Sequence, residues 1–405
     1  MGRSIEDLVA ELCQRSFLAD FTIKSPKYQK SGGLEKEAAD LIVLFGDTLL
    51  AIQVKSKAVE MSAKPNLVEA ERVKRTIEKA VYQFRALAEA VNSPGFTSFV
   101  NGRGVEIPFD KNSIKEYVFI VVFVPIPDET QEQSIRIRFD STCYPHANIA
   151  VHLFSLEQFS LLLTLLNTLP DFLFYLTIRW HLHHQRLIAA DSDPIDEWAL
   201  LTFEKKTLAK MLEEETFTDI LGFSELHRDS VPILEHNEKP SYFIDSLIER
   251  LCASIGYHEP VDPRFNLLAE PNSQKSYLMT VPYLAKLNRS ERTQFTEFLI
   301  NRVSNCQTQE MSFRAFKFSE DAPEAYLVLA AKGTRAERRA MLSNLAKGTC
   351  LKLNAKTVIG LTVSHEWPES PLCDVAVVDL SKWEPSEKMI EMTNITFGEI
   401  HQETL

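Results

Sequence analysis

Asp40, Gln53 and Lys55 are the residues whose types and spacing could do chemistry. They stand in "EKEAADLIVLFGDTLLAIQVKSK", Glu35 to Lys57, where two apolar runs flank Gly46-Asp47. Gly-Asp is one of the two-residue pairs that favour a tight hairpin. Folding there sets Phe45 against Thr48, Leu44 against Leu49, Ile42 against Ala51 and Asp40 against Gln53. Directly opposed residues share a sheet face with Cβ atoms about 5 Å apart, and period-two alternation adds Lys55 to that face. A carboxylate oxygen, an amide oxygen and an ammonium so placed can hold a hard cation at about 2.0–2.1 Å and orient a water beside it. That arrangement suits phosphodiester hydrolysis, with Lys55 kept protonated by Asp40 and helping to place the nucleophile. The alternative is a solvated cross-strand ion pair, worth about 0–1 kcal/mol.

The elements that must position these groups are legible around them. Ser4 caps a helix with apolar residues Ile5, Leu8, Val9 and Leu12, with Glu6 and Asp7 in its first turn. A basic connection, "IKSPKYQKSGG", leads to the hairpin. A helical pattern from Leu67 to Val91 follows, with the stripe Val73, Ile77, Val81, Phe84, Leu87 and Val91, and "NSPG" stops it. "YVFIVVFV", Tyr117 to Val124, is apolar on both faces and reads as a central strand covered on two sides. Glu37 is a candidate for a group just behind the site or a further ligand, and equally a solvated residue at the strand entrance. Arg72, Thr76, Lys79 and Gln83 form a polar stripe on the long helix that could contact phosphates, as could Lys57, or could simply face water. Lys24, Lys27 and Lys30, interleaved with Tyr28, are a loop cluster that could track a nucleic-acid backbone.

With these residues in view, the first 125 or so residues resemble the PD-(D/E)XK nuclease superfamily, the restriction-endonuclease-like fold. The resemblance implies an αβββαβ core and Mg²⁺-dependent cleavage of nucleic acid, usually DNA, with Mn²⁺ as a substitute. It makes Asp40 the metal-binding acid, puts Gln53 in the place of the second acid and as a metal ligand, makes Lys55 the motif lysine, and makes Glu6 the helix acid. Ala39 stands where the name-giving Pro would be, and Gln53 replaces Asp or Glu; the Gln-x-Lys version is similar to the methylation-dependent restriction branch. The loss of one negative charge weakens metal binding. The resemblance implies defence against foreign DNA, with self-association or a partner protein of a defence system as its protein contacts. The rival reading is a non-catalytic subunit that keeps the fold to bind nucleic acid or protein.

The whole chain reads as α/β in several parts. Residues 1–130 form the nuclease-like domain, 131–190 a helical pair capped by Ser155 and Thr168, and 191–240 a linker region marked by "DSDPID" and "HNEKPS". Residues 241–405 form a C-terminal α/β domain for regulation or binding. It places a helix near Ser290 to Ser304, strands "FRAFKF" and "AYLVLAAK", a helix from Arg335 and a strand "TVIGLTV". Its order repeats that of the first part, with Ala330 to Lys332 standing where Gln53 to Lys55 stand, but without a facing aspartate; it reads as a degenerate copy whose Arg335, Arg338 and Arg339 suit phosphates, acidic surfaces or water.

Length and composition set the bounds. A chain of 405 residues exceeds one core. The net charge of −12 argues against coating nucleic acid by bulk charge, although residues 1–90 hold 14 basic against 13 acidic residues. Six scattered cysteines make no CxxC pair, and neither His181 with His184 nor Cys143 with His146 has the second pair that a closed zinc site needs. No phosphate loop, nucleophile elbow, membrane span or secretory signal is present, so the expectation is a cytoplasmic protein without membrane contact.

Overall fold

The computed structural model describes residues 4–17, 19–29, 35–57, 75, 78–88, 91, 98–104, 106–125, 151–189, 192–256, 280–367, 373–379, 385–387, 390 and 393. The chain divides into two units, Met1–Ile233 and Leu234–Leu405.

The first unit runs α1 (Ile5–Phe17), β1 (Thr22–Lys24) and a ribbon of β2 (Lys27–Gln29) with β3 (Glu35–Glu37). The hairpin β4 (Leu41–Phe45) and β5 (Thr48–Lys57) comes next, then α2, helical over residues 78–88. A second ribbon, β6 (Ser98–Val100) with β7 (Glu106–Pro108), precedes β8 (Glu116–Pro125) and β9 (Val151–Ser155). The main sheet has the order β1-β4-β5-β8-β9. Neighbours are antiparallel from β1 to β5, whereas β5, β8 and β9 run parallel. The fifth strand, "VHLFS", is an addition to the expected core: its five residues are too short to show periodicity, and β8 supplies the edge it needs.

Alternation along β4, β5 and β8 sorts the side chains onto two covered faces. Ile42, Leu49, Ala51, Phe119 and Val121 pack with Ala80, Val81, Phe84 and Leu87 of α2, and Phe84 stacks on Phe119 with ring centroids 4.4 Å apart. Phe154 points to the other face, where Phe159 of α3 (Leu156–Leu165) meets it at 6.2 Å, and α1 packs on α3. Each fully buried Phe or Leu contributes about 1.5–3 kcal/mol. The caps are those read from the sequence: Ser4 with Asp7 on α1, Ser155 with Gln158 on α3, and Thr168 with Asp171 on α4 (Leu169–His184).

Residues 191–240 are not a linker. They carry α5 (Pro194–Phe203), α6 (Lys205–Glu214), α7 (Phe223–Leu226) and α8 (Val231–Glu238), the last containing the division between the units. The polar stretch "DSDPID" is a helix start: Asp193 accepts the Ile195 amide and Pro194 occupies the first turn, where its missing N–H is no loss. "HNEKPS" is the end of α8 and a 3₁₀ turn, Lys239–Ser241.

The second unit contains α9 (Tyr242–Gly256), α10 (residues 280–285), α11 (Arg289–Cys306), β10 (Met311–Phe316), β11 (Glu324–Ala331), α12 (Arg335–Lys352), β12 (Thr357–Ser364) and β13 (Cys373–Asp379). Its sheet has the order β10-β11-β12-β13, with β11 and β12 parallel and the outer pairs antiparallel. Phe313, Ala315, Leu327, Leu329 and Ala331 face α12 and pack with Leu342, Leu345 and Ala346. Gly360 permits this approach, since a Cβ there would sit 2.8 Å from Leu342 Cδ1. Among the described residues no helix is long and apolar enough to cross a membrane.

Candidate functional site

The hairpin has the register that a two-residue turn imposes. Phe45 faces Thr48, Leu44 faces Leu49 and Ile42 faces Ala51. Gly46 turns the chain with φ +60°, a conformation that costs an L side chain about 1–2 kcal/mol. The ladder ends at Leu41 and Ile52, and Asp40 is the next residue out. Its Oδ2 accepts the backbone N–H of Val54 at 2.6 Å, so the carboxylate is fixed against β5 between Gln53 and Lys55. The Asp40 carbonyl in turn accepts the Ser25 amide at 3.0 Å, which fixes the backbone on the other side.

Beyond the hairpin, β5 continues along β8, with Gln53 beside Val121 and Lys55 beside Phe123. This pairing explains why Gln53 is 2% exposed although it lies past the last β4 partner. Lys55 Nζ donates to Gln53 Oε1 at 2.7 Å, a contact available to residues two apart on one strand face. Asp40 and Lys55 are half-buried.

Burial sets the electrostatics. It raises the Asp40 pKa above the ordinary carboxylate value; the Val54 hydrogen bond and the Lys55 charge oppose it, while Glu6 and Glu37 push it further up. Burial likewise lowers the Lys55 pKa, aided by Lys79 and opposed by Asp40, Glu6 and Glu37. Glu6 from α1, Glu37 from β3 and Lys79 from α2 are therefore within electrostatic reach of the pair, each on an exposed side chain.

The remaining sequence candidates distribute unevenly. Gln83 lies one turn beyond Lys79 on α2, and its Oε1 is buried with no hydrogen-bond partner among the described residues. Lys57 ends β5. Arg72, Thr76, Lys30, Cys143 and His146 lie outside the described residues, as does the side chain of Tyr28. Lys24 pairs with Asp7 of α1. His184 stacks on Trp180 at 4.8 Å.

A hard cation can be tested against this donor set. Among the described residues no three His, Cys, Asp or Glu side chains converge on one metal position. Mg²⁺ does not need such a cage, because it keeps several waters and binds through one or two carboxylates plus substrate phosphate oxygens. Asp40, with an oxygen beyond the one bound to Val54, and the Gln53 amide oxygen fit that mode. Lys55 must then leave Gln53 Oε1, since an ammonium and a divalent cation repel at one oxygen.

Another polar cluster lies deep in the first unit and escaped the sequence reading. Glu197 of α5 accepts from Tyr175 OH at 2.8 Å, Arg179 Nε at 2.7 Å and Ser192 Oγ at 2.6 Å, and its Oε1 is 2.8 Å from His183 Nε2. All but Ser192 are at most 3% exposed. The legible signal was Tyr175, Arg179 and His183 at four-residue spacing on an apolar helix.

The second unit repeats the helix, hairpin, helix and parallel-strand order, but the suggested match of Lys332 to Lys55 fails on geometry. In the first unit Leu49, Ala51, Gln53 and Lys55 share the face covered by the crossover helix α2. In the second, Leu327, Leu329 and Ala331 share the face covered by α12, so Ala330, the counterpart of Gln53, lies on the opposite face, and Lys332 follows the end of β11. Lys332 pairs with Glu310 at 3.6 Å, and Ser312 faces Ala330. Arg335 and Arg339 both bind the buried Asp374, at 2.7 and 3.0 Å.

No protein-family model matches the chain, and comparison with curated proteins and with solved structures finds no match.

Proposed function

We propose that the chain is a divalent-metal-dependent nuclease that hydrolyses phosphodiester bonds, with DNA as the favoured substrate. The observation that carries this reading is the Asp40 carboxylate held on the Val54 amide, between a buried amide and a half-buried ammonium. The order α1, β1, β4, β5, α2, β8 supports a restriction-endonuclease-like arrangement, and the site lies at the end of the β4–β5 hairpin that such an arrangement would use. The role in defence follows from the resemblance alone.

Asp40 and Gln53 would hold the metal. When bound, it would polarise the phosphoryl oxygen and offset charge in the transition state. Lys55, close to Asp40, orients the attacking water and stabilises the developing negative charge. Lys79 adds positive charge on the α2 side, and Glu6 is a nearby acid able to order water. In the reaction the water oxygen bonds to phosphorus, one P–O ester bond breaks, and the proton lost by water is balanced by one gained at the leaving oxygen.

A binding subunit without catalysis is the second reading, favoured by the contact that already engages Gln53 Oε1 with Lys55. Incubating the purified chain with labelled duplex DNA, single strands and RNA across Mg²⁺ and Mn²⁺ concentrations separates the two. Cleavage that needs metal and disappears in Asp40→Ala and Lys55→Ala, with folding and binding preserved, supports the nuclease. Binding without cleavage under every metal establishes the subunit instead.

A further inference from the structure

We propose that residues 211–230 of the first unit form a docking surface for a protein segment that carries basic side chains around an apolar stripe, a basic amphipathic helix being its simplest form. The proposal does not depend on the nuclease reading.

Three large apolar side chains stand in water within ten residues of one another: Phe217 is 62% exposed, Leu221 81% and Leu226 71%. Single exposed leucines are ordinary on a protein surface, whereas several close together mark a contact surface. The backbone that carries them is held from inside. Ile220 is buried in the cluster that Leu182, Leu187, Leu200 and Met211 build, and Phe223 packs against it. The Thr218 amide donates to the Leu187 carbonyl at 2.8 Å. Asp196 of α5, itself buried, accepts the Gly222 amide at 3.0 Å, the Ser224 amide at 2.8 Å and the Ser224 hydroxyl at 2.5 Å. Gly222 takes φ +82° at this point, so α7 starts directly after Leu221. The Leu226 amide then closes one turn onto the Gly222 carbonyl at 3.0 Å. Leu221 and Leu226 therefore flank a single turn of fixed backbone, and their exposure belongs to that frame.

The charge of the segment selects the partner. Residues 211–230 hold six acidic side chains, Glu213, Glu214, Glu215, Asp219, Glu225 and Asp229, against Arg228 as the one Lys or Arg. All six acids are exposed. Arg228 pairs with Glu225, and Lys210 lies 4.0 Å from Glu214. An apolar surface rimmed by negative charge attracts lysine and arginine, whose hydrocarbon stems can also lie along the leucines. The same charge disfavours the other occupants. A second copy would set these acids against each other across a two-fold contact, and nucleic acid or an anionic membrane would be repelled. Because the frame is already ordered, binding costs little further ordering on this side.

A labelled synthetic peptide with leucines at helical spacing on one face and lysines elsewhere, titrated with the full chain and read by fluorescence anisotropy, tests the proposal. Saturable binding is expected, weakened about tenfold or more by Leu221→Ser with Leu226→Ser, and separately by Glu213→Gln with Glu215→Gln. Peptides with glutamate in place of lysine, or serine in place of leucine, should bind as weakly as those variants do. Ile300→Ser, which removes an exposed side chain of α11, should leave affinity unchanged, and circular dichroism verifies that each variant is folded. No binding of the peptide, equal affinity in the folded Leu221→Ser/Leu226→Ser variant, or an equal loss in Ile300→Ser overturns the proposal. A free chain that sediments as a dimer dispersed by Leu221→Ser also overturns it, by making the occupant a second copy. Phosphatidylserine vesicles or duplex DNA bound more tightly than the peptide, and released by the same variants, would do so as well.

Discussion

Lys55 gives its ammonium to Gln53, two residues back on the same strand, at 2.7 Å, although the Asp40 carboxylate lies within electrostatic reach and opposes the fall that burial imposes on the lysine's pKa. The carboxylate itself is committed through Oδ2 to the Val54 amide. The three polar groups at the end of the hairpin are thus ordered by the backbone of β5, and the amide of Gln53 decides where the lysine rests.

Changing that amide should change metal use. Gln53→Glu restores a negative charge beside Asp40 and is expected to lower the Mg²⁺ concentration for half-maximal cleavage by about tenfold, the factor given by ~1.4 kcal/mol of added attraction. Gln53→Ala removes both the donor oxygen and the Lys55 partner and should raise it. A Mg²⁺ titration of cleavage rate checks both, and unchanged half-saturation in the two variants would show that residue 53 does not touch the metal.

The rate should depend on pH through Asp40. Its folded pKa is raised, chiefly by burial, so the carboxylate proposed to hold the metal is ionised chiefly above that raised value. Activity is expected to fall on acidification at a higher pH than an ordinary aspartate would give. Removing a like charge in Glu37→Gln should move that limb to lower pH. A pH-rate profile at saturating metal measures the displacement, and a limb that does not move would remove Glu37 from the site.

Glu197 and His152 are together expected to govern the acid stability of the first unit. Burial alone would raise its pKa, but Arg179, His183 and Ser192 together hold it at about 2, below its ordinary 4.5. A depressed carboxylate gives stability that is complete above the ordinary value and is lost as pH falls from 4.5 towards 2. His152, whose pKa burial and Arg179 lower to about 3 from 6.5, loses its contribution earlier, from pH 6.5 downwards. Glu197→Gln leaves Arg179 without its counter-charge and should cost about 3–5 kcal/mol at neutral pH. Urea melts from pH 7 to pH 3 read both effects, and a cost within experimental error would mean the network is solvated.

Gly360→Ala should destabilise the second unit by about 1–3 kcal/mol, because the new methyl group meets Leu342 in a packed layer. Leu342 is 2% exposed, so its side chain can yield only by repacking the layer around it. Adding Leu342→Ala should remove the clash, so the two substitutions together should cost less than the sum of each alone. Strict additivity in thermal melts would show that residue 360 does not press on α12.

Much of this protein was legible in the sequence wherever local physics is sufficient. Gly46-Asp47 fixed the hairpin register as far as Leu41 and Ile52, and the side-chain period of two then set Gln53 and Lys55 on one face, where their side chains meet; the expected pairing of Asp40 with Gln53 lies past the end of the ladder, and Asp40 reaches the Val54 amide instead. Ser155 and Thr168 marked helix starts because their side chains satisfy amides that the helix itself leaves open. The Asp193-Pro194 start carried the same kind of signal, yet its polar surroundings read as a linker. Tertiary structure alone decided what depends on elements distant in the chain. It brought Glu6, Glu37 and Lys79 into the field of Asp40 and Lys55, buried Glu197 against α4, and set Arg335 and Arg339 on the buried Asp374. Sequence spacing specifies which side chains share an element and a face; which faces meet, and which charges lose their water, is set by packing.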